Sequence, residues 1–157
     1  MSVVLPAHTT VGAMLTDLFA RPVKLAPGQA LAATAAKAVA TYVDGATLRF
    51  VAALDIPLFA SMGAALALIP AAVVNEAIRT GKPSPALVEN GYEVLNILGA
   101  AFNNVSEGQF HVKIGQLVQA PFPTPIAQKL NRPPRRADWD VTINGYPPGK
   151  LALLELG

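Results

Sequence analysis

The sequence predicts an α+β domain in which an antiparallel β-sheet of about six strands carries helices packed on one face. Two observations lead to this prediction. Several short segments alternate apolar and polar residues and are separated by turn residues, which is typical of antiparallel strands. One long stretch, Ser84 to Asn104, instead repeats its apolar residues at helical spacing. With 157 residues, the chain is expected to form one domain over residues 1–157.

Four elements are predicted before residue 56. An amphipathic helix covers Thr9–Ala20, and an edge strand follows at residues 22–25. Two longer strands, Thr34–Val43 and Thr47–Asp55, are rich in Val, Ala, Leu and Phe. Asp44-Gly45 lies between them and is a two-residue hairpin signal, so we expect these strands to pair with each other.

The next stretch, residues 56–74, carries no charged side chain and has nearly the length of a membrane span. Pro57 and Pro70 divide it, however, and leave a helical piece of about 13 residues, or about 20 Å, whereas the hydrocarbon core of a bilayer is ~30 Å thick. We therefore predict a buried core helix over Pro57–Ile69, a second helix over Pro70–Arg79, and no membrane span.

After the long helix the chain returns to strands. Phe110, Val112 and Ile114 alternate with polar residues, which predicts a strand with one buried face. Residues 121–134 contain five prolines around a short helix, Ile126–Leu130, and are expected to form an excursion from the domain. Residues 139–143 alternate again, and residues 151–156 are predicted to form the last strand.

The long helix has unusual polar residues. Ser84 is a suitable N-cap, and Pro85 suits the first helical position. The apolar residues on one arc are Leu87, Val88, Tyr92, Val94, Leu95, Ile97, Leu98, Ala101 and Phe102. The opposite arc carries Glu89, Glu93, Asn96, Ala100 and Asn103. No basic residue occurs from residue 83 to residue 108, although a solvated helix face usually combines Glu with Lys or Arg.

Two interpretations of this polar arc are open. It could be an ordinary exposed face, or it could be a docking face that presents one carboxylate and one carboxamide. Glu93 and Asn96 are three residues apart and are therefore neighbours on the helix surface. Small Ala100 lies just beyond them, which would let another surface approach closely.

The composition favours a covered surface. Apolar residues make up 52% of the chain and charged residues only 14%, against about 25% in a typical domain, so we expect self-association or a partner. The net charge of +2 is too small to indicate nucleic-acid binding. Cysteine is absent, which excludes disulfides, thiolate zinc sites and cysteine nucleophiles and fits a reducing cytosol.

A self-contained active site is not predicted. His8 and His111 are the only histidines, and neither belongs to a recognisable site. Ser61 lacks the glycine pattern of a nucleophile elbow. Residues 145–151 resemble a phosphate loop but are one residue short and lack Ser or Thr after the lysine, so we predict a turn. Asp and Glu do not cluster at metal-ligand spacing, and we expect no metal or cofactor of the chain's own.

A basic group also occurs, formed by Lys129, Arg132, Arg135 and Arg136. We interpret it as a solvated loop or as an electrostatic contact with an acidic or phosphorylated partner. It lacks the interleaved aromatic residues of nucleic-acid grooves, and no nucleic acid is expected as a partner.

Glu93-Val-Leu-Asn96 on a long helix, preceded by a β-hairpin and a helix rich in small residues, resembles the CheC/CheX/FliY family of chemotaxis phosphatases. The resemblance covers roughly Val11 to Val118 and is closest to the CheX type, which has a single E-x-x-N site. Glu89 falls where CheC-type members often carry a further Asp or Ser.

The resemblance implies that the chain docks on a phosphorylated CheY-like response regulator, which holds both the aspartyl phosphate and Mg²⁺. The amide of Asn96 would orient a water molecule for attack on phosphorus, and Glu93 would engage the regulator's active-site lysine. Glu89, Ala100 and Asn103 would belong to the contact surface. We expect a cytoplasmic homodimer.

Members of the family commonly have Gly before the Asn, where this chain has Leu95, and their glycine-rich hairpin is reduced here to Asp44-Gly45. A catalytically inactive interaction or scaffold domain of the same fold is therefore the alternative hypothesis. Binding of a small molecule between sheet and helices is a third hypothesis, with no specific residue in its favour.

Overall fold

Six strands and five helices make up the part of the chain that the computed structural model describes, residues 5–131 and 135–156. In chain order they are α1 (His8–Phe19), β1 (Val23–Pro27), β2 (Ala38–Asp44), β3 (Thr47–Leu54), α2 (Ile56–Ala67), α3 (Ala71–Thr80), α4 (Pro85–Ser106), β4 (Lys113–Gln119), α5 (Thr124–Asn131), β5 (Arg135–Ile143) and β6 (Gly149–Glu155).

The strands form one antiparallel sheet in the order β1-β5-β6-β3-β2-β4. Two hairpins, β2–β3 and β5–β6, make up its centre, while β1 and β4 lie at its edges. The predicted α+β class, the strand number and the edge position of β1 are confirmed.

One face of the sheet carries the main core. Helices α1, α2 and α4 bury apolar side chains against β2, β3, β5 and β6 on this face. Four aromatic rings link α4 and the segment after it to the sheet: Phe102 stacks on Phe50 at 4.4 Å between ring centroids, and Tyr42 and Phe110 pack against the same pair. Helix α4 is therefore fixed over the centre of the sheet.

The opposite face is also covered. Val51 and Leu154, which point away from α4, are buried together with Leu31 and with Leu130 of α5. The proline-rich excursion, as far as residue 131, therefore forms part of this second cover, and the prediction of helices on one face applies to α1, α2 and α4 but not to α5. The physical reason is that β3 and β6 contain continuous apolar runs, residues 50–54 and 151–154, which must be covered on both faces.

Helix α2 is a buried core helix, as predicted. Eight of its twelve residues are buried, and the Asp55 carboxylate caps it by accepting the Leu58 N–H at 3.0 Å. Among the described residues, none of the helices has the length and apolar character needed to cross a bilayer.

Most of the predicted boundaries differ from the structure by one to four residues. Strand β2 begins at Ala38 rather than Thr34, because residues 33–35 form a turn. The hairpin loop is Gly45-Ala46 rather than Asp44-Gly45, since Asp44 pairs with Thr47 and Gly45 has the positive φ of 59°. Strand β4 begins at Lys113, whereas the alternation predicts a strand from Phe110. Phe110 and Val112 are buried, but they lie in the segment that leads into β4.

Helices α2 and α4 approach each other through glycine. A Cβ atom on Gly63 would overlap the Leu87 carbonyl oxygen of α4, and one on Gly91 would lie 2.6 Å from the Phe59 ring of α2. Since backbone atoms cannot yield as a flexible side chain can, a side chain at residue 63 would push the two helices apart.

We expect Gly63→Ala to lower the free energy of unfolding by about 1–3 kcal/mol through overpacking. The matched control is Gly99→Ala in α4, whose Cβ would lie 3.5 Å from the Tyr42 ring, an ordinary contact. This control should be neutral or gain up to about 1 kcal/mol of helix propensity. Urea unfolding compares the two variants, and equal stabilities would contradict the close helix contact.

Candidate functional site

Helix α4 has well-defined ends. The Ser84 hydroxyl accepts the Leu87 N–H at 3.4 Å, and Pro85 occupies the first turn, as predicted. The helix runs two residues further than predicted and ends at Ser106. Glu107 and Gly108 follow with φ of 53° and 81°, which terminates the helix.

The two arcs of α4 lie largely as the periodicity predicts. Val94, Leu95 and Leu98 are fully buried. Glu93 and Asn96 are exposed. Leu95 stands where members of the family that the sequence resembles commonly have Gly. Its side chain points into the core, so the surface around Glu93 and Asn96 remains open.

Glu93 and Asn96 have free functional groups. Within residues 5–131 and 135–156, neither side chain forms a hydrogen bond or an ion pair. A carboxylate can only accept hydrogen bonds, whereas a carboxamide both donates and accepts. Exposed Ala100 lies one turn beyond Asn96 and adds no bulk. The pair can therefore engage a cation and a water molecule of an approaching partner.

A buried hydroxyl fixes the helix at this point. Tyr42 of β2 is fully buried and donates its O–H to the Leu95 carbonyl oxygen at 2.7 Å. Burial raises the pKa of the Tyr42 hydroxyl because a phenolate could not be solvated there. This hydrogen bond joins the sheet to the single turn that carries both Glu93 and Asn96.

Asn103 is engaged in the fold. Its amide donates to the Val112 carbonyl oxygen at 2.9 Å and accepts the Val112 N–H at 2.7 Å. The Asn103 side chain thereby pairs with both backbone groups of Val112, as the backbone of a neighbouring strand would, in the segment that leads into β4. Its amide is not available in the way that the amide of Asn96 is, a difference that the spacing of the polar arc did not indicate.

A groove between α4 and β4 was not predicted. It measures about 740 Å³ and is lined by Val88, Glu89 and Tyr92 of α4 and by residues 115–119 of β4. The helical spacing predicts Tyr92 on the apolar arc, but its side chain is 38% exposed because it lies at the margin of that arc and borders the groove. Glu89 is exposed in the groove wall, one turn before Glu93.

The histidines and Ser61 do not come together in a functional site. His8 and His111 are exposed. Ser61 is buried and donates its hydroxyl to the Pro147 carbonyl oxygen at 2.7 Å. In the described ranges, no three His, Asp or Glu side chains lie close enough together to hold a metal ion.

Two described members of the basic group, Arg135 and Arg136, are paired within the fold. Arg136 is paired with Asp138 at 2.8 Å and also donates to the Leu31 carbonyl oxygen. Arg135 lies 3.5 Å from Glu155. Lys129 is exposed on α5, and Arg132 lies outside the described residues.

Comparison with solved structures gives the fold. The FliM middle domain from H. pylori matches with a TM-score of 0.62 and 7% identity, over 95% of this chain and 84% of that one. FliY from Thermotoga maritima matches with a TM-score of 0.60 and 15% identity, over 95% and 83%. The CheX–CheY–BeF₃–Mg²⁺ complex from Borrelia burgdorferi matches with 0.54 and 8%, over 94% and 93%. The chain has the CheC/CheX/FliY fold.

No protein-family model matches this sequence, and neither does any curated protein. With identities of 7–15%, the solved structures establish the fold and not the activity. The resemblance inferred from the E-x-x-N motif and the order of elements is thus confirmed as a CheC/CheX/FliY fold.

The free state of the site residues can be tested by stability. Glu93→Gln and Asn96→Ala should each change the free energy of unfolding by less than about 0.5 kcal/mol, since neither side chain has a partner to lose. Asn103→Ala is the matched comparison and should cost about 1–3 kcal/mol, because it leaves both backbone groups of Val112 unpaired. Denaturant unfolding measures all three, and a large loss for Asn96→Ala would mean a structural role.

The burial of the Tyr42 hydroxyl, which raises its pKa, predicts that stability depends on pH. Because of the raised pKa, the Tyr42 hydroxyl keeps its proton in the folded protein at pH values where it loses that proton in the unfolded chain, in which its pKa is near 10. The free energy of unfolding of the wild type should therefore exceed that of Tyr42→Phe by a constant amount below pH ~10. Above pH ~10 this difference should fall by about 1.4 kcal/mol per pH unit. Urea unfolding of both proteins from pH 7 to 11.5 measures the difference, and a constant difference would contradict the assignment.

Proposed function

We propose that the chain is a phosphatase that hydrolyses the aspartyl phosphate of a CheY-like response regulator. The observation that carries this proposal is the pair Glu93 and Asn96, which lie side by side, exposed and without partners, on the central helix of a CheC/CheX/FliY fold. The fold also supports the choice of partner, because one solved structure of this fold is a complex that contains CheX, CheY, BeF₃ and Mg²⁺.

In the proposed reaction the regulator supplies both the aspartyl phosphate and Mg²⁺. The Asn96 carboxamide holds a water molecule in line with the scissile P–O bond, and its oxygen accepts a hydrogen bond from that water. The water oxygen bonds to phosphorus, the bond to the aspartate oxygen breaks with its electron pair left on the aspartate carboxylate, and the product dihydrogen phosphate carries both protons of the water. Phosphoryl transfer depends largely on such positioning and on charge stabilisation, so a single amide contributes substantially.

Glu93 is proposed to bind the ammonium group of the regulator's active-site lysine. Its carboxylate has no competing cation on α4, because no basic residue occurs from residue 83 to residue 108. Buried Leu95 does not obstruct the approach, and Ala100 leaves room beside Asn96. The same surface thus has the charge and the shape needed to hold the two proteins in register.

We also propose that the chain forms a homodimer in the cytosol, where its regulator would be. The argument is the low charged fraction of 14%, together with Leu68 at the corner between α2 and α3, whose surface is 73% exposed. Sedimentation velocity measures the oligomeric state. The phosphatase proposal requires only that the surface around Glu93 and Asn96 stays exposed in the dimer.

The reaction is tested with a panel of purified CheY-like response regulators. Each phosphorylated regulator is mixed with Mg²⁺ and catalytic amounts of the chain, and phosphate release is followed in time. The wild type should accelerate release from at least one regulator, and Asn96→Ala should lose about 100-fold or more of this acceleration because its water is no longer positioned.

The matched control is Asn75→Ala, the same substitution at an exposed position of α3, which should act as the wild type. Glu93→Gln should raise the regulator concentration needed for half-maximal rate. No acceleration by the wild type with any of these regulators would contradict the phosphatase and leave the non-catalytic interaction domain as the interpretation.

A further inference from the structure

We propose that the groove between α4 and β4 binds an extended segment of a partner protein that carries a Lys or Arg side chain. The segment adds to the free edge of β4, and its alternate side chains enter the groove. Glu89 borders both this groove and the surface around Glu93 and Asn96, but the ligand proposed here is an extended peptide segment and not a response regulator, so the two proposals are tested separately.

The first argument is the position of β4. In the part of the chain that the structure describes, β4 pairs only with β2 and ends the sheet. Its outer edge therefore presents unpaired N–H and C=O groups, which an extended peptide can pair with.

The second argument is where the groove lies relative to that edge. Ile114 and Leu117 of β4 pack toward the core beneath the helices, so this face of β4 is continuous with the surface of α4. A strand added beyond β4 would direct every second side chain to the same side, against Val88 and Tyr92. The volume of about 740 Å³ falls within the range of about 300–1,000 Å³ that is usual for binding sites.

The third argument is charge. Glu89 is the only charged residue that lines the groove, and in the described ranges its carboxylate has no partner. A lone carboxylate beside an apolar wall favours a ligand that combines apolar side chains with a basic one. The polar groups of Gln116 and Gln119 add no charge.

A bulge argues against a second copy of β4 as the occupant. At Gln116 the Thr41 hydroxyl takes the place of the β2 backbone, accepting the N–H at 2.9 Å and donating to the carbonyl oxygen at 3.4 Å. The register shifts there, between Ala40 and Tyr42. Two copies pairing across this strand would have to accommodate a bulge on each side, which disfavours edge-to-edge pairing. A short peptide needs only the regular residues after the bulge.

The test uses random ten-residue peptides displayed on phage and selected on the immobilised full chain. Enriched sequences are then synthesised with a fluorescein label, and their affinity is measured by anisotropy. Enriched peptides should alternate apolar residues, include Lys or Arg and lack Pro in the paired part. Glu89→Lys, a substitution at an exposed residue, should weaken their binding about tenfold or more.

Asn96→Ala is the control, since it changes the proposed phosphatase site and leaves the groove intact, and it should bind the peptides as the wild type does. The proposal is overturned if no sequence is enriched over an unrelated protein, if the enriched peptides are acidic, or if they bind Glu89→Lys equally well. It is also overturned if the peptides dissociate a dimer in sedimentation velocity, because a second copy would then occupy the edge.

Discussion

The structure depends on how α4 packs against the sheet. A helix can bury only one arc of its surface, and here Val94, Leu95 and Leu98 are committed to the core. Tyr42 then fixes the helix at Leu95 through its buried hydroxyl. This commitment leaves the remaining arc exposed, so the same packing that stabilises the fold also determines which side chains a partner can reach. Leu95 illustrates the point, because its departure from the commoner glycine changes the buried arc and not the exposed one.

Much of this arrangement could be predicted from the sequence, because it follows from local periodicity. The 3.6-residue repeat in Ser84 to Asn104 gives both the helix and the exposure of Glu93 and Asn96. The role of Asn103 could not be predicted in the same way, because its partner Val112 lies beyond the end of the helix in the segment leading to β4. The groove depends on the distance between α4 and an edge strand, and no local pattern specifies that distance. The second cover of the sheet had a signal in the continuous apolar run of residues 151–154.

The same fold occurs in FliM, FliY and CheX, and fold alone therefore does not select an activity. What distinguishes the phosphatase proposal is a chemical argument about two side chains. An amide and a carboxylate without partners, held on a rigid and well-capped helix, suit a reaction that requires positioning more than covalent chemistry. This also explains how a chain without cysteine could act with no nucleophile of its own, since the reactive group and the metal would belong to the regulator.

The central claim is that the surface around Glu93 and Asn96 docks on the phosphorylated active site of a regulator. The side-chain NH₂ signal of Asn96 in ¹⁵N-labelled protein is to be assigned by its loss in Asn96→Ala. Titration with a regulator activated by beryllofluoride and Mg²⁺ measures the claim most directly. We predict that the Asn96 NH₂ signal shifts and saturates with the activated regulator and stays in place with the unactivated one. An unchanged Asn96 signal, while backbone signals elsewhere shift on binding, would contradict the account.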